Sequence, residues 1–201
     1  AMQKCKGEFI ALCEGDDYWI DKEKLAIQVD FLLNNKDYFL VSHYARKYSF
    51  RYEGFELFGK LERDSYSIED SDYHFLAIPT ASILFRNKIV FPNWMENVYA
   101  GDRALIFLVS QYGKIKILDF EGSVYRVHPD GIEQNYKKDK FSLPLRNLKE
   151  YPVYYKIALP HFKRYIARKM AWNHFYLAIQ YFLIMRIDKS IQSTCNSIYW
   201  K

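Results

Sequence analysis

Cysteine is scarce in this sequence. Cys5, Cys13 and Cys195 are the only three, and no two form a CxxC pair. An odd, sparse set excludes a disulfide framework and a cysteine-built metal knuckle, and reads as the reduced thiols of a cytosolic chain. Long hydrophobic runs are missing as well. The longest dense apolar stretch is Phe175–Met185, 11 residues interrupted by Gln180, whereas a bilayer-spanning helix needs about 20. No charged-then-apolar signal peptide opens the chain, and there is neither an internal repeat nor a low-complexity segment. Acidic residues nearly vanish at one end. Residues 151–201 hold one, Asp188, against eight basic side chains, giving +7, while residues 1–150 carry −2. That basic end also holds 12 aromatics, so it is expected to have a surface or partner of its own.

What remains is rich in core-forming material. The 201 residues are 50% apolar, with 18 Tyr, 15 Phe and 4 Trp. This excludes a wholly disordered chain and suits one domain plus an appendage, with the boundary expected at residue 150. Phe9–Cys13 is too short for a helix and reads as a buried strand. Asp21 reads as an N-cap for a helix running to Asn34, with Leu25, Val29, Leu32 and Leu33 on its apolar face. Tyr38–Ala45 reads as a strand, and residues 46–76 as irregular with a mobile loop. Ala81–Phe85 is expected to be a strand entered through Pro79-Thr80. Gly101-Asp102 opens a helix that Gly113 ends as its C′ residue. Lys114–Leu118 and Gly122–Val127 read as two further strands. Pro144 and Pro152 bracket a linker-like stretch. From Lys156 the pattern is helical, with a break near Ala171–Asn173. Strands alternating with helices argue for an α/β domain followed by an α-helical tail.

Chemistry concentrates after the first strand. Glu14-Gly15-Asp16-Asp17 places three carboxylates at a strand's carboxyl end, where open α/β sheets bind ligands. Such a cluster can hold a hard divalent cation. On its own it equally well describes an acidic turn that caps the next helix.

The wider pattern is more specific. Gly7–Trp19, followed by Lys24-Leu25 and Gln28-Val29-Asp30-Phe31-Leu32, resembles the family 2 glycosyltransferases of the GT-A fold. In that family a strand leads into a DxD-type motif, an aromatic and a KLxxQVxFL-like helix. Gly101-Asp102 is similar to the family's catalytic acidic motif, and Ser123–His128 to its closing YRxH strand. Three motifs in order over residues 7–131 make the match specific.

The resemblance implies a truncated GT-A, Rossmann-like mixed sheet and an inverting, metal-dependent transferase. It would move a sugar from a nucleotide-diphosphate donor, a UDP-sugar first among candidates, to a glycan or lipid-linked acceptor in surface polysaccharide synthesis. Position by position, it implies Asp16 as the acid that holds Mn²⁺ or Mg²⁺. Glu14 stands at the first DxD position, one methylene longer than the usual Asp. His128 can supply a neutral imidazole to the metal or diphosphate. Asp102 matches the base that takes the acceptor's proton. Arg126 is placed to neutralise phosphate charge. Asp17 belongs to the diphosphate side or braces the turn or the helix 21–34. Trp19 is placed to wall the sugar site, and Thr80 to line an acceptor platform. Read without the family, Asp102 is an N-cap or dipole partner, Thr80 and Ser82 are strand packing or an acceptor platform, and Trp94 is an acceptor contact or simply buried. His43 and His74 are left as structural.

The family's N-terminal βαβ half, which holds the base and ribose, has no counterpart ahead of Phe9. The resemblance therefore covers the catalytic half alone. A fragment of a whole enzyme, a remnant that no longer catalyses and a chain that complements a separate half all fit this pattern. A raw sheet edge would favour self-association. The competing class is a non-catalytic module that binds membrane or protein. The basic, aromatic tail suits an anionic surface such as the inner face of the plasma membrane, and equally a helical hairpin packed on the domain. No nucleic-acid-binding module is recognisable, and no nucleic-acid partner is expected.

Overall fold

The computed structural model describes residues 2–49, 52–67, 70, 77–128 and 139–200. They divide into two compact units, Ala1–Met95 with Ala100–His128, and Glu96–Tyr99 with Pro129–Lys201.

The first unit is α/β. Among the described residues it contains β1 (Phe9–Ala11), β2 (Tyr18–Trp19), α1 (Lys24–Asn34), β3 (Tyr38–Ser49), β4 (Tyr52–Phe58), β5 (Ser65–Tyr66), β6 (Leu84–Arg86), α2 (Gly101–Val109) and β7 (Lys114–Val127). The strands form one mixed sheet in the order β1-β6-β3-β7-β2, with β4 added to β3 and β5 to β7. β3 and β7 pair in parallel along nearly their whole length, and the other pairings are antiparallel.

Alternation along the strands divides two cores. Leu40, Phe85, Ile115 and Ile117 face α2, packing with Leu105, Ile106 and Val109. Val41 and Leu84, their neighbours in sequence, face the opposite side and pack with Leu32 of α1. Ala104–Val109 is buried throughout, so α2 is a core helix. Truncating Leu105 to Ala there costs about 2–5 kcal/mol.

Several local expectations change. Residues 46–49 and 52–58 are not irregular. β3 runs on to Ser49, and β4 pairs back on it. The cross-strand pair Lys47–Glu56 at 3.0 Å and the Tyr48–Phe55 ring contact support this pairing. Residues 68–69 and 71–76, His74 among them, lie outside the described residues. The expected strands 114–118 and 122–127 are one strand of 14 residues. Between them Glu121 pairs with Tyr44, and register shifts opposite His43–Ala45 leave Asp119, Phe120 and Gly122 as bulges. The segment Thr80–Ser82 is a short 3₁₀ turn, and β6 starts only at Leu84. Gly113 is not a C′ residue, because α2 ends at Val109 with Ser110 as C-cap. Its place is explained by close approach: a Cβ there would stand 2.8 Å from the Asp37 carbonyl oxygen.

Helix α1 departs most. It starts at Lys24 without a side-chain cap, and Asp21 instead accepts a 2.8 Å hydrogen bond from the Glu23 N–H in the turn before it. Its buried face is Lys24, Gln28 and Leu32, whereas Leu25 and Leu33 are exposed.

The second unit is helical: α3 (Ser142–Ile157), α4 (Pro160–Leu183) and α5 (Ile187–Tyr199). The stretch bracketed by Pro144 and Pro152 is thus helix, and it runs across residue 150. No break occurs near Ala171–Asn173, where the Asn173 amide donates to the Lys169 carbonyl inside α4. The Phe141–Tyr181 ring stack and the Asn147–Asn173 hydrogen bond set α3 antiparallel to α4. Ser190 to Ala178 O and Ser197 to Ala171 O do the same for α5. α4 closes in a Schellman motif, Arg186 N–H to Tyr181 O at 2.8 Å and Met185 N–H to Phe182 O at 2.9 Å. The left-handed C′ position, usually glycine, is Met185 at φ 59°. Among the described residues no helix is long and apolar enough to cross a membrane.

Candidate active site

Four segments of the first unit meet at the carboxyl end of β1: the acidic loop 14–17, the 3₁₀ turn Thr80–Ser82, the first turn of α2 and the end of β7. β2 sets the geometry, because Tyr18 and Trp19 pair with Val124 and Ser123 of β7. That short ladder brings the acidic loop within side-chain reach of residues more than 100 positions away.

Asp16 and His128 are joined directly, Oδ2 to Nε2 at 3.1 Å, and both are partly exposed. Arg126 fastens the same loop twice. Its Nε–H donates to the Asp16 carbonyl, and its backbone N–H donates to Asp17 Oδ1 at 2.9 Å. Asp17 is buried and braces the loop against β7, not against α1. Its Oδ2 is buried without a protein partner. Burial pushes the Asp17 carboxyl up, the Arg126 N–H opposes this, and the Asp16 charge adds to the rise.

Glu14 sits at the rim. Partial loss of water raises its carboxyl, and the charges of Asp102, Asp17 and Asp16 raise it further, while a hydrogen bond with the Thr80 side chain pulls the other way. Asp102 is therefore close enough to Glu14 for their charges to conflict. It is not an N-cap, since Ala100 holds that place without a side-chain cap. Asp102 is exposed in the first turn of α2, where the helix dipole favours a carboxylate. Trp19 stands beside this group, its indole N–H donating to the Ala81 carbonyl at 2.9 Å.

All eight residues singled out from the sequence thus lie in this region: Glu14, Asp16, Asp17, Trp19, Thr80, Asp102, Arg126 and His128. The tightest joint is Asp16–His128–Arg126. Ser82 is drawn away, its hydroxyl donating to the Pro79 carbonyl at 2.6 Å. Trp94 contacts the Phe107 ring edge-on at 6.1 Å. His43 is buried, with Nδ1 2.8 Å from the Tyr44 carbonyl and its ring against Phe120, and burial drives it down to about 4.

The donor set fits a hard divalent cation shared with a ligand. A carboxylate oxygen and an imidazole nitrogen already stand together at Asp16 and His128. Among the described residues no group of three or more His, Cys, Asp or Glu could hold a metal. Glu14 is therefore not grouped with the pair as a third ligand; the Thr80 side chain holds it and the Asp102 charge repels it. Ligand oxygens would have to complete the coordination shell.

Sequence reasoning overlooked Lys24 and Gln28 as parts of the site wall. The Lys24 ammonium lies 4.5 Å from the centre of the Trp19 ring and donates to Gln28 Oε1 at 2.7 Å. Both residues stood in the KLxxQVxFL-like segment, which gave neither a role, and their i, i+4 spacing ordinarily marks a solvated face.

No protein-family model matches the sequence. Among curated proteins, the uncharacterized protein Rv1520 of Mycobacterium tuberculosis and the uncharacterized protein Mb1547 of Mycobacterium bovis are similar to this chain. Each is 30% identical over 142 residues, which is 69% of this chain and 40% of the relative. The chain thus spans less than half the length of the curated relatives it matches. Among solved structures, S. aureus TarS 1–349 in complex with UDP-GlcNAc overlays with a TM-score of 0.49 and 12% identity. The overlay covers 96% of this chain and 68% of that one. A score and identity that low decide neither a fold family nor an activity.

Proposed function

We propose that this chain carries the catalytic portion of a metal-dependent, inverting family 2 glycosyltransferase. The observation that supports the reading is the convergence of three separate motifs. Asp16 of the acidic loop contacts His128 of the YRxH strand at 3.1 Å, Arg126 of that strand ties down the same loop, and Asp102 at the start of α2 acts on Glu14.

The chemistry follows from the groups assembled. The acceptor hydroxyl oxygen attacks the sugar's anomeric carbon and gives its proton to the Asp102 carboxylate. The bond from that carbon to the diphosphate oxygen breaks, and the diphosphate leaves with the bonding electrons. One displacement inverts the anomeric centre and needs no enzyme nucleophile. Mn²⁺ or Mg²⁺ held by Asp16 and His128 would neutralise charge on the departing diphosphate. Arg126 adds positive charge beside it. Trp19 supplies an aromatic wall for the sugar, and Thr80 orients Glu14.

The test is calorimetric titration of UDP into the chain with and without Mn²⁺, in parallel with Asp16→Asn. Binding that requires Mn²⁺ and is lost in the variant supports the reading. Absence of binding under every condition removes it for this chain. Asp102→Asn is expected to keep that binding and to lose transfer.

A membrane-surface role for the second unit is favoured by a separate observation. Trp172, Phe175, Ile179 and Phe182 fall on one face of α4 at helical spacing, and all are exposed. The stripe runs into the α4–α5 turn, where Leu183, Ile184 and Met185 are exposed as well, Met185 at 85%. Arg164 and Arg168 continue the same face toward the helix start. An anionic lipid surface matches an apolar stripe with a basic extension. Contact with such a surface would bring a lipid-linked acceptor to the site.

A further inference from the structure

We propose that Lys24 is a positioning residue whose buried ammonium fixes Trp19 and the Thr80–Ser82 turn as one wall of the candidate site. The inference rests on the site described above, but its test does not depend on the reaction assigned to that site.

A lysine almost wholly out of water is unusual, and Lys24 is 1% exposed. Among the described residues no carboxylate pairs with it. Its polar partner is Gln28 Oε1 at 2.7 Å, and its head lies over the Trp19 ring. A leucine or methionine could fill the same space without the cost of burying charge. What an apolar side chain could not do is orient the Gln28 amide. With Oε1 committed to the ammonium, Nε2 must face the other way, and it donates to the Ser82 carbonyl at 2.7 Å and the Val41 carbonyl at 3.2 Å. A reversed amide would set an oxygen against two carbonyl oxygens. Lys24 therefore decides which way the Gln28 amide points.

The consequence reaches three successive residues of the turn. Thr80 is held by Glu14, the Ala81 carbonyl by the Trp19 indole, and the Ser82 carbonyl by Gln28. Two of those three links depend on groups that Lys24 touches. Beside the direct Glu14–Thr80 link, β2 and the turn thus share one cation, which holds the indole by its ring face and the turn through the amide. The other ionisable groups with a resolved influence between themselves and Lys24 are Cys13 and His43, and His43 is neutral in this setting.

The experiment reads Trp19 emission in the intact chain, with Trp19→Phe subtracted as the blank for the other three tryptophans. An ammonium against an indole perturbs its emission, so the Trp19 signal is expected to change across the loss of that proton, near pH 8. In Lys24→Met the inflection should be lost and acrylamide should reach Trp19 more readily, while far-UV circular dichroism stays that of a folded chain. Either of two results overturns the proposal: a parent Trp19 signal that is flat across that range, or Lys24→Met retaining both the inflection and the parent's quenching. The parent titration needs no variant at Lys24, so misfolding of Lys24→Met leaves the idea open to refutation. UDP binding with Mn²⁺, measured alongside, reports on the transferase reading independently.

Discussion

Gly122 is the position where one added carbon should do the most damage. A Cβ built there would stand 2.7 Å from His43 Nε2, 2.8 Å from His43 Cε1 and 2.8 Å from Phe120 Cε2. The His43 ring has no room to retreat. It is fully buried, bonded to the Tyr44 carbonyl and tilted against the Phe120 ring at 4.7 Å. Gly122→Ala therefore forces either a ring off its rotamer or β7 off its register. Overpacking of this kind costs about 1–3 kcal/mol. For a chain of this size each kcal/mol lowers Tm by about 2–4 °C, so a fall of about 2–12 °C is expected. The Gly122 carbonyl also accepts the Ile20 N–H at 3.1 Å, and Ser123 pairs with Trp19. A displaced β7 would thus carry Arg126 and His128 away from Asp16, and Mn²⁺-dependent UDP binding should weaken along with stability. Thermal unfolding followed by tryptophan emission and by far-UV circular dichroism measures the first effect, and calorimetry the second. Gly15→Ala is the internal control: no atom lies within 4 Å of a Cβ there, and its φ is outside the left-handed region. That variant should stay within about 0.5 kcal/mol of the parent. An unchanged Tm for Gly122→Ala, or an equal loss for Gly15→Ala, would refute the reasoning.

Glu14→Gln should raise the Tm of the metal-free chain at neutral pH, because it removes charge from a crowded set of carboxylates. The pH dependence has a definite sign. Folding raises the Glu14 and Asp17 carboxyls, so their destabilising contribution is full above their folded values and fades as pH falls through them. The parent should therefore gain stability as the pH is lowered from neutrality toward about 5, and Glu14→Gln should gain less, as scanning fluorimetry across that range would record. Further acidification should reverse the gain, since partners hold Asp37, Asp64 and Asp188 below the usual carboxylate range and that support is lost on protonation. Met185→Gly should stabilise the second unit by about 1 kcal/mol by relieving a left-handed non-glycine residue. The same change should reduce co-sedimentation with anionic vesicles, and Phe182→Glu should reduce it more. Equal pelleting of both variants and the parent would remove the lipid-surface reading.

Some of this architecture can be read directly from residue order. The apolar run Phe9–Cys13, between Glu8 and Glu14, is too short for a helix and reads as a strand, of which β1 takes Phe9–Ala11. The spacing of Ala104, Leu105, Phe107 and Leu108 after Gly101-Asp102 marks a core helix. The motif positions also led to Asp16, Arg126 and His128, which the sheet joins. Other features depend on contacts that no local pattern announces. The two expected strands 114–118 and 122–127 are one, because β3 supplies a partner strand opposite and the extra residues Asp119, Phe120 and Gly122 ride as bulges. Residues 46–58 mix aromatics and charges on both faces, so no period of two emerges. Lys24 and Gln28 look like a wet helix face, because a carbonyl 54 residues from Gln28 and a ring from the preceding strand are what make burial tolerable. Asn173 reads as a breaker but satisfies itself within its own helix.

The parallel pairing of β3 with β7 has a consequence for how this site can vary. Side chains on a strand point alternately to opposite faces, so an insertion or deletion of one residue reverses every position beyond it. On β7, Arg126 turns to the acidic loop while its neighbour Tyr125 meets the Phe58 ring at 5.2 Å. Removing one residue of β7 beyond the bulge, such as Val124, would turn the tyrosine to the face of the acidic loop and send the arginine toward Phe58, without altering a single site residue. A change of two residues would restore the phase. The spacing between the bulge and His128 therefore acts as a parity constraint, and related chains that keep this chemistry should differ in that segment by even numbers of residues.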